Sequence, residues 1–249
     1  MSKKSKDETA ADRRDFLKLA GVAGAIVSSL SLTEAASAAM HGHSAQNPVV
    51  KTIGSRATGA GYEFFNTNES AFIEAAVDTL IPADTVGPGA AELGVATYID
   101  RQMAGGYGKG DRLYLEGPFG EGTSEQGYQL QMTPSELIRI GIADVNNYTQ
   151  RQYKKAFDEL STPDRLAVML ELDGRKVNLP SLPTETFFGL LLQLTIEGYL
   201  ADPMYGGNKD KASWKMIGFP GANAMYMDKI EPFRNKPYTA EPMGIQDLI

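Results

Sequence analysis

One apolar run constrains the fold of this chain more than any other feature: Phe187-Phe188-Gly189-Leu190-Leu191-Leu192-Gln193-Leu194. It follows Pro183-Thr184-Glu185, a sequence typical of a helix start, and it ends before Thr195 and Glu197. A helix that is apolar on all sides is either the buried centre of a bundle or a membrane span. The run has about 10 residues, whereas a span needs roughly 20. We therefore predict the core helix of a helical bundle.

Two further helices are predicted before residue 110. The first begins at the candidate N-cap Asn68 and stops at Ile81, because the residue before Pro82 is pushed out of helical geometry. Its inward side is given by three apolar residues at helical spacing: Phe72, Ala76 and Leu80. The second helix is predicted over residues 91–103.

Two strong start signals follow. Thr133-Pro134-Ser135-Glu136 combines a capping Thr, a Pro in the first turn and a Glu that reaches back, and it predicts a helix ending near Leu160. The inward side of that helix is predicted to carry Leu137, Gly141, Val145, Tyr148 and Gln152. Ser161-Thr162-Pro163-Asp164 repeats the signal for a short helix through Leu172. No convincing alternating strands occur, so the predicted class is mainly α, a single helical-bundle-like domain over residues 64–249.

Two connections between the predicted helices are unusually long, at residues 104–132 and 201–249. The first holds eight glycines with aromatic residues between them, and the second is rich in Gly, Pro and aromatics. Loops longer than roughly 12–15 residues are usually functional or disordered, and aromatics argue against plain disorder. Two interpretations stay open: the loops wrap the domain's own helices, or their aromatics form the centre of an interface with a partner.

Residues 1–38 have the layout of a bacterial export signal. An arginine pair and the residues after it resemble the twin-arginine (Tat) motif, which exports folded proteins: Arg13, Arg14, Phe16, Leu17 and Lys18. Asp12 departs from the usual Ser or Thr. An apolar run over residues 19–32 and an Ala-Ser-Ala end complete the pattern and predict cleavage after Ala38, with Ala39 as the competing site. The alternatives are an amphipathic helix and an uncleaved anchor. We expect a periplasmic protein, with a flexible segment at residues 39–63.

Composition excludes several classes of function. The chain has no Cys, and its two histidines are His41 and His43, so no thiolate site, covalent haem attachment, haem-ligating His or Ser-His-Asp arrangement fits the domain. The histidines are interpreted as a polar tail, with copper or nickel capture as the alternative. A net charge of −7 argues against a nucleic-acid partner, and no polybasic patch for anionic lipid occurs.

The domain also lacks a recognisable cofactor motif. The Gly-rich stretches at residues 105–110 and 117–122 match neither the dinucleotide fingerprint nor a phosphate loop. Isolated carboxylates have no spacing that demands catalysis, namely Asp84, Asp100, Asp202 and Asp228. We predict no catalytic, cofactor-binding or metal-binding residue in this chain.

Two blocks of sequence carry a family resemblance. The first comprises Ile81-Pro82-Ala83-Asp84, Pro88-Gly89-Ala90, Gly94-Val95 and Tyr98-Ile99-Asp100. The second runs from Gly198 to Asn208 and continues from Trp214 to Gly221. In this order, behind an export signal, they closely resemble the gluconate 2-dehydrogenase subunit 3 family, over residues 64–238.

The resemblance implies a heterotrimer at the periplasmic face of the inner membrane. A large flavoprotein of the glucose–methanol–choline type holds FAD and oxidises the substrate, and a membrane-anchored multihaem cytochrome c subunit carries haem c. The small subunit takes the flavoprotein through the Tat translocase and stabilises it. The implied reaction is D-gluconate to 2-dehydro-D-gluconate. Relatives that serve fructose, glucose, sorbitol or 2-ketogluconate dehydrogenases are the alternatives.

The signature residues are interpreted in two ways, as fixers of backbone geometry or as contacts with the flavoprotein. The candidate partner-interface residues are Asp202, Pro203, Tyr205, Gly206, Gly207, Asn208, Trp214 and Phe219. Two competing functions remain, a free-standing periplasmic binding or scaffold protein and a metal-delivery protein that uses His41 and His43.

Overall fold

The computed structural model describes residues 61–249, except 121, 124, 125, 127, 128 and 224. Its α-helices are α1 (Thr67–Leu80), α2 (Val95–Ala104), α3 (Pro134–Tyr153), α4 (Thr162–Asp173), α5 (Thr184–Leu200), α6 (Ala212–Ile217) and α7 (Met227–Ile230). Short 3-10 helices lie at Phe157–Glu159, Pro203–Tyr205, Lys209–Lys211 and Ile245–Leu248. Within the described ranges no β-strand forms, and Gly221 and Met243 make one isolated bridge. The predicted mainly α class is confirmed for this part of the chain.

Helix α5 is the centre of the core, as its composition predicted. It packs against α2, α3 and α4, and Phe187, Leu191 and Leu194 are fully buried. It is not enclosed on every side, because one strip at four-residue spacing is exposed: Glu185, Gly189, Gln193 and Glu197. None of the described helices is long and apolar enough to cross a membrane.

The start of α1 differs from the prediction. Its N-cap is Asn66, not Asn68, because Asn66 Oδ1 accepts hydrogen bonds from the backbone N–H groups of Asn68 and Glu69, each at 3.0 Å. The Glu69 carboxylate accepts the Asn66 N–H at 3.0 Å, which completes a capping box. The predicted end is confirmed: α1 stops at Leu80, with Ile81 as C-cap.

Two other helix boundaries were predicted wrongly, and left-handed residues explain both. Helix α2 begins at Val95, not at 91, because residues 90–94 form a turn that ends at Gly94 with φ 75°. Helix α3 ends at Tyr153 rather than near 160, because Lys154 has φ 62° and stops the helix.

The start signals of α3 and α4 are confirmed. Thr133 and Glu136 form the predicted capping box of α3, and Ser161 caps α4 by accepting the N–H of Asp164. The predicted inward side of α3 is buried at its first three positions. Further along, Tyr148 is half-buried and Gln152 is exposed.

Parts of both long connections pack on the domain's own helices. Gly108 receives a hydrogen bond from Ser135 N (3.0 Å), and a Cβ on Gly108 would lie 2.1 Å from Met103 O. Residues 201–214 fold back against α5, whereas many side chains after 214 are exposed. The predicted export signal, the segment after it and both histidines lie outside the described residues.

Candidate functional site

The second sequence signature folds back at the C-terminal end of α5. We call this turn, residues 201–214, the hook. Asp202 caps the 3-10 helix that follows it, because its Oδ1 accepts the N–H of Met204 at 3.1 Å. Its Oδ2 accepts the N–H of Ile245 at 2.7 Å and so ties the hook to the C-terminal segment. Asp202 is therefore engaged by backbone donors of its own chain on both oxygens.

Two glycines allow the hook to turn. Gly206 has φ 109°, a conformation that residues with a Cβ rarely adopt. Gly207 lies so close to α5 that a Cβ would be 2.0 Å from the carbonyl oxygen of Gly198. Each glycine is thus required by backbone geometry or by a close approach.

A fully buried asparagine closes the hook. Asn208 donates from Nδ2 to the carbonyl of Ala201 at 2.9 Å and accepts the N–H of Ser213 on Oδ1 at 2.9 Å. Trp214 then donates its indole N–H to the carbonyl of Leu200 at 2.8 Å, which satisfies a free carbonyl at the end of α5. The ring of Phe219 packs edge-on against this indole at 5.2 Å.

The acidic residues of the first signature also bind backbone. The Asp84 carboxylate accepts N–H groups of residues 86 and 87 at 2.8 and 3.1 Å, which fixes the turn after α1. Asp100 is 1% exposed. It accepts three N–H groups from the segment before α1: Glu63 (2.7 Å), Phe64 (2.9 Å) and Phe65 (2.8 Å).

The two signatures meet in space although about 100 residues separate them in sequence. Tyr199 donates its hydroxyl proton to the carbonyl of Pro88 at 2.9 Å, and the N–H of Lys209 binds the carbonyl of Leu93 at 3.1 Å. A Cβ on Gly94 would lie 2.9 Å from the carbonyl oxygen of Gly206. The signatures therefore build one framework around the ends of α2 and α5.

A cluster of tyrosines around Glu197 lies at the surface of this framework. Tyr98 donates to Glu197 Oε2 at 3.4 Å, and Gln193 donates to Oε1 at 2.7 Å. Burial raises the pKa of Tyr98 to about 12, and the nearby Glu197, Tyr107 and Tyr205 contribute to the increase. The cluster therefore offers phenol hydroxyls, aromatic faces and one carboxyl group.

Sequence reasoning missed this cluster. In the sequence, Tyr98 was noted only as part of the first signature, and Glu197 was noted only because it follows the apolar run of α5. The signal that was present is the four-residue spacing of Gln193 and Glu197, which places both on one helix face. Aromatic rings around a carboxylate suit recognition of another protein, since tyrosine is enriched in interface centres.

The predicted interface residues divide by exposure. Tyr205 and Phe219 are 46% and 43% exposed. Three are partly exposed, namely Asp202, Pro203 and Gly206. Three are buried and hold the hook together, namely Gly207, Asn208 and Trp214. In the part of the chain that the structure describes, no group of three potential metal-ligating side chains comes together.

Comparison with known proteins places this framework in a family. A family model described as gluconate 2-dehydrogenase subunit 3 matches residues 67–221, more than half of the chain. The chain belongs to the gluconate 2-dehydrogenase subunit 3 family. Both signatures lie within the match, and membership identifies a subunit of an oxidoreductase complex that other subunits complete. No curated protein and no solved structure matches the chain.

Proposed function

We propose that this chain is the non-catalytic small subunit of a heterotrimeric, membrane-bound, FAD-dependent dehydrogenase that oxidises D-gluconate to 2-dehydro-D-gluconate. A glucose–methanol–choline type flavoprotein holds the FAD, and a membrane-anchored multihaem cytochrome c subunit receives the electrons at the periplasmic face of the inner membrane. The family match over residues 67–221 carries this proposal.

The bonding of the signature carboxylates supports a structural role for this chain. Asp100 accepts three backbone N–H groups, and Asp202 accepts two. Carboxylates whose oxygens accept backbone N–H groups of their own chain fix local geometry, which is a structural role. Tyr98, whose pKa burial raises to about 12, keeps its proton at neutral pH.

The export role rests on the N-terminal sequence. The Arg13-Arg14 pair with Phe16, Leu17 and Lys18 resembles a signal for folded cargo. A flavoprotein that folds around FAD in the cytoplasm needs such a route. One signal on the small subunit would serve both chains if they bind each other before export, and the small subunit would then stabilise the flavoprotein in the periplasm.

The substrate is chosen by the flavoprotein, because the oxidised carbon must lie against the flavin. D-gluconate is the substrate for which the family is named. The same accessory role for a fructose, glucose, sorbitol or 2-ketogluconate dehydrogenase is the alternative, and a substrate panel distinguishes them.

The test is isolation of the complex from its host. The chain carries an affinity tag after Ile249, which is fully exposed, and is purified from detergent-solubilised membranes. We expect a spectrum of flavin and haem c, with reduction of an acceptor dye by gluconate and not by the other four compounds. Dye reduction by one of those compounds, and not by gluconate, would show that the complex oxidises that compound instead. A colourless, solitary chain would contradict the complex and favour a free-standing periplasmic binding protein.

A further inference from the structure

The exposed apolar side chains of the described residues are concentrated near the C-terminus. We define the C-terminal arm as residues 215–223 and 225–236. Six of the fifteen large exposed hydrophobic residues lie in it: Ile217, Phe219, Met225, Tyr226, Met227 and Ile230. The most exposed of these six are Met227 at 79% and Met225 at 70%. Contiguous apolar patches on soluble proteins usually mark interaction sites.

The arm is held in place and is not a loose tail. Met243 bridges Gly221, and its carbonyl accepts the N–H of Ala222 at 2.7 Å. Further along, the rings of Phe233 and Tyr238 pack edge-on at 4.8 Å. The arm is therefore tied to the C-terminal segment at Gly221 and ordered locally at Phe233, which lowers the entropic cost of binding.

The charge of the arm is opposite to that of the rest of the domain. Residues 61–214 contain 12 basic and 22 acidic residues, a net −10, whereas the arm contains four basic and two acidic residues, a net +2. Both acidic residues are paired within the arm, Asp228 with Lys229 and Glu231 with Arg234. Lys215 and Lys236 make no ion pair with a described carboxylate, so the arm combines exposed apolar side chains with a small net positive charge.

We propose that this arm docks into an apolar groove, bordered by carboxylates, on the flavoprotein subunit. The inference rests on the proposed function. The arm continues the signature hook through the contact of Phe219 with Trp214, and most of it lies beyond residue 221, where the family match ends. Met225 and Met227 suit such a groove, because unbranched methionine side chains adapt to irregular surfaces.

Two other occupants fit the arm less well. A lipid surface would receive a mostly irregular backbone, whose helical residues are the end of α6 (215–217) and Met227–Ile230, and unpaired backbone groups are costly in lipid. Lys215 and Lys236 add only about 1 kcal/mol each at an anionic membrane. A symmetric pair of copies would place the arm against itself, so two segments of the same positive charge would face each other.

Photo-crosslinking in the host tests the proposal. A benzophenone amino acid replaces Met227 in the full-length chain, and the matched control replaces Leu170, an exposed apolar residue of α4 (46%). After irradiation, mass spectrometry of the purified chain is expected to find the flavoprotein attached at 227 and absent at 170. A crosslink at 227 only to a second copy or only to lipid would overturn the proposal, as would equal attachment at both positions.

A second measurement separates failure of the arm from failure of the complex. In Met225→Ser/Met227→Ser/Ile230→Ser we expect at least about a tenfold loss of co-purified flavoprotein, while Val86→Ser/Leu170→Ser loses none. Unchanged recovery in the triple variant would overturn the docking role alone. If even the unaltered chain recovers no flavoprotein, both the proposed function and the docking role fail.

Discussion

At the residue scale, the clearest structural device is the buried carboxylate of Asp100. It is almost inaccessible, and three backbone N–H groups replace the water that would otherwise solvate its charge. Hydrogen bonds to an ionised acceptor are stronger than neutral ones. Through them, α2 fixes the chain before the Asn66 cap and thereby the direction in which α1 begins.

We predict that Asp100→Asn destabilises the fold by about 2–3 kcal/mol. The amide keeps one oxygen for the N–H groups of Phe64 and Phe65 but turns its own N–H group towards the N–H of Glu63, so this part-buried donor loses its acceptor. Thermal unfolding of the purified chain measures the loss. The control is Asp173→Asn, at the exposed end of α4, which should not lower the melting temperature. An equal melting temperature for Asp100→Asn and the unaltered chain would contradict the role.

The raised pKa of Tyr98 predicts a dependence on alkaline pH. Burial raises this pKa from 10.0 to about 12 in the folded chain, so between these values the folded state binds more protons than the unfolded state. The free energy of unfolding contributed by Tyr98 is therefore present below pH 10 and falls as the pH rises towards 12. We expect Tyr98→Phe to make the alkaline loss of stability less steep in urea unfolding between about pH 9 and pH 11. An identical slope in both proteins would contradict the assignment.

At the element scale, two glycines show how differently helices α3 and α5 use the same residue. Gly141 of α3 faces α5, where a Cβ would lie 2.0 Å from a ring carbon of the fully buried Phe187. Gly189 of α5 lies on the exposed strip, where a Cβ would meet no other atom within 4 Å. One glycine permits the helices to pack closely, whereas the other only weakens its helix.

Alanine substitutions at these positions should have opposite signs. Gly189→Ala is expected to stabilise the domain by about 0.5–1 kcal/mol, because alanine restricts the unfolded chain and favours the helix. Gly141→Ala should destabilise it by about 1–3 kcal/mol through overpacking against Phe187. Chemical denaturation of both variants provides the comparison, and each serves as the other's control. The same sign for both would contradict the packing of α3 on α5.

At the scale of the whole molecule, successive parts of the chain have different proposed roles. The family signatures build the framework around α2 and α5, and the proposed docking arm begins within the second signature and extends beyond it. The predicted export signal precedes it. An accessory subunit of an exported enzyme needs these three parts: an export signal, a stable fold and a surface that binds its partner.

Replacing Arg13 and Arg14 by Lys should strand the flavoprotein in the cytoplasm together with this chain. The physical reason is that a flavoprotein without its own signal crosses the membrane only as cargo bound to the chain that has one. Cell fractionation with immunodetection of both proteins measures the outcome. The control is Lys3→Arg/Lys4→Arg, which keeps the charge and lies outside the motif. Periplasmic flavoprotein in the Arg13→Lys/Arg14→Lys variant would disprove the carrier role.

Local signals predicted most of the helices and missed several of their boundaries. The capping sequences at Thr133 and Ser161 were sufficient, because a cap is made within four residues. The cap of α1 was misplaced by two residues, since both Asn66 and Asn68 are good caps and only the Glu69 box selects between them. The early end of α3 was missed because lysine rarely adopts the left-handed conformation of Lys154.

The sequence by itself determined the family, the helical class and the identity of the core helix, because capping, apolar periodicity and motif order are all local properties of the chain. Only the tertiary structure decided what the signature residues do. Asp100 and Asn208 bind backbone that is not apparent from their neighbours in sequence, and the Tyr98–Glu197 contact joins residues 99 positions apart. Exposure follows from such distant packing, so the sequence alone could not separate buried Trp214 from exposed Phe219.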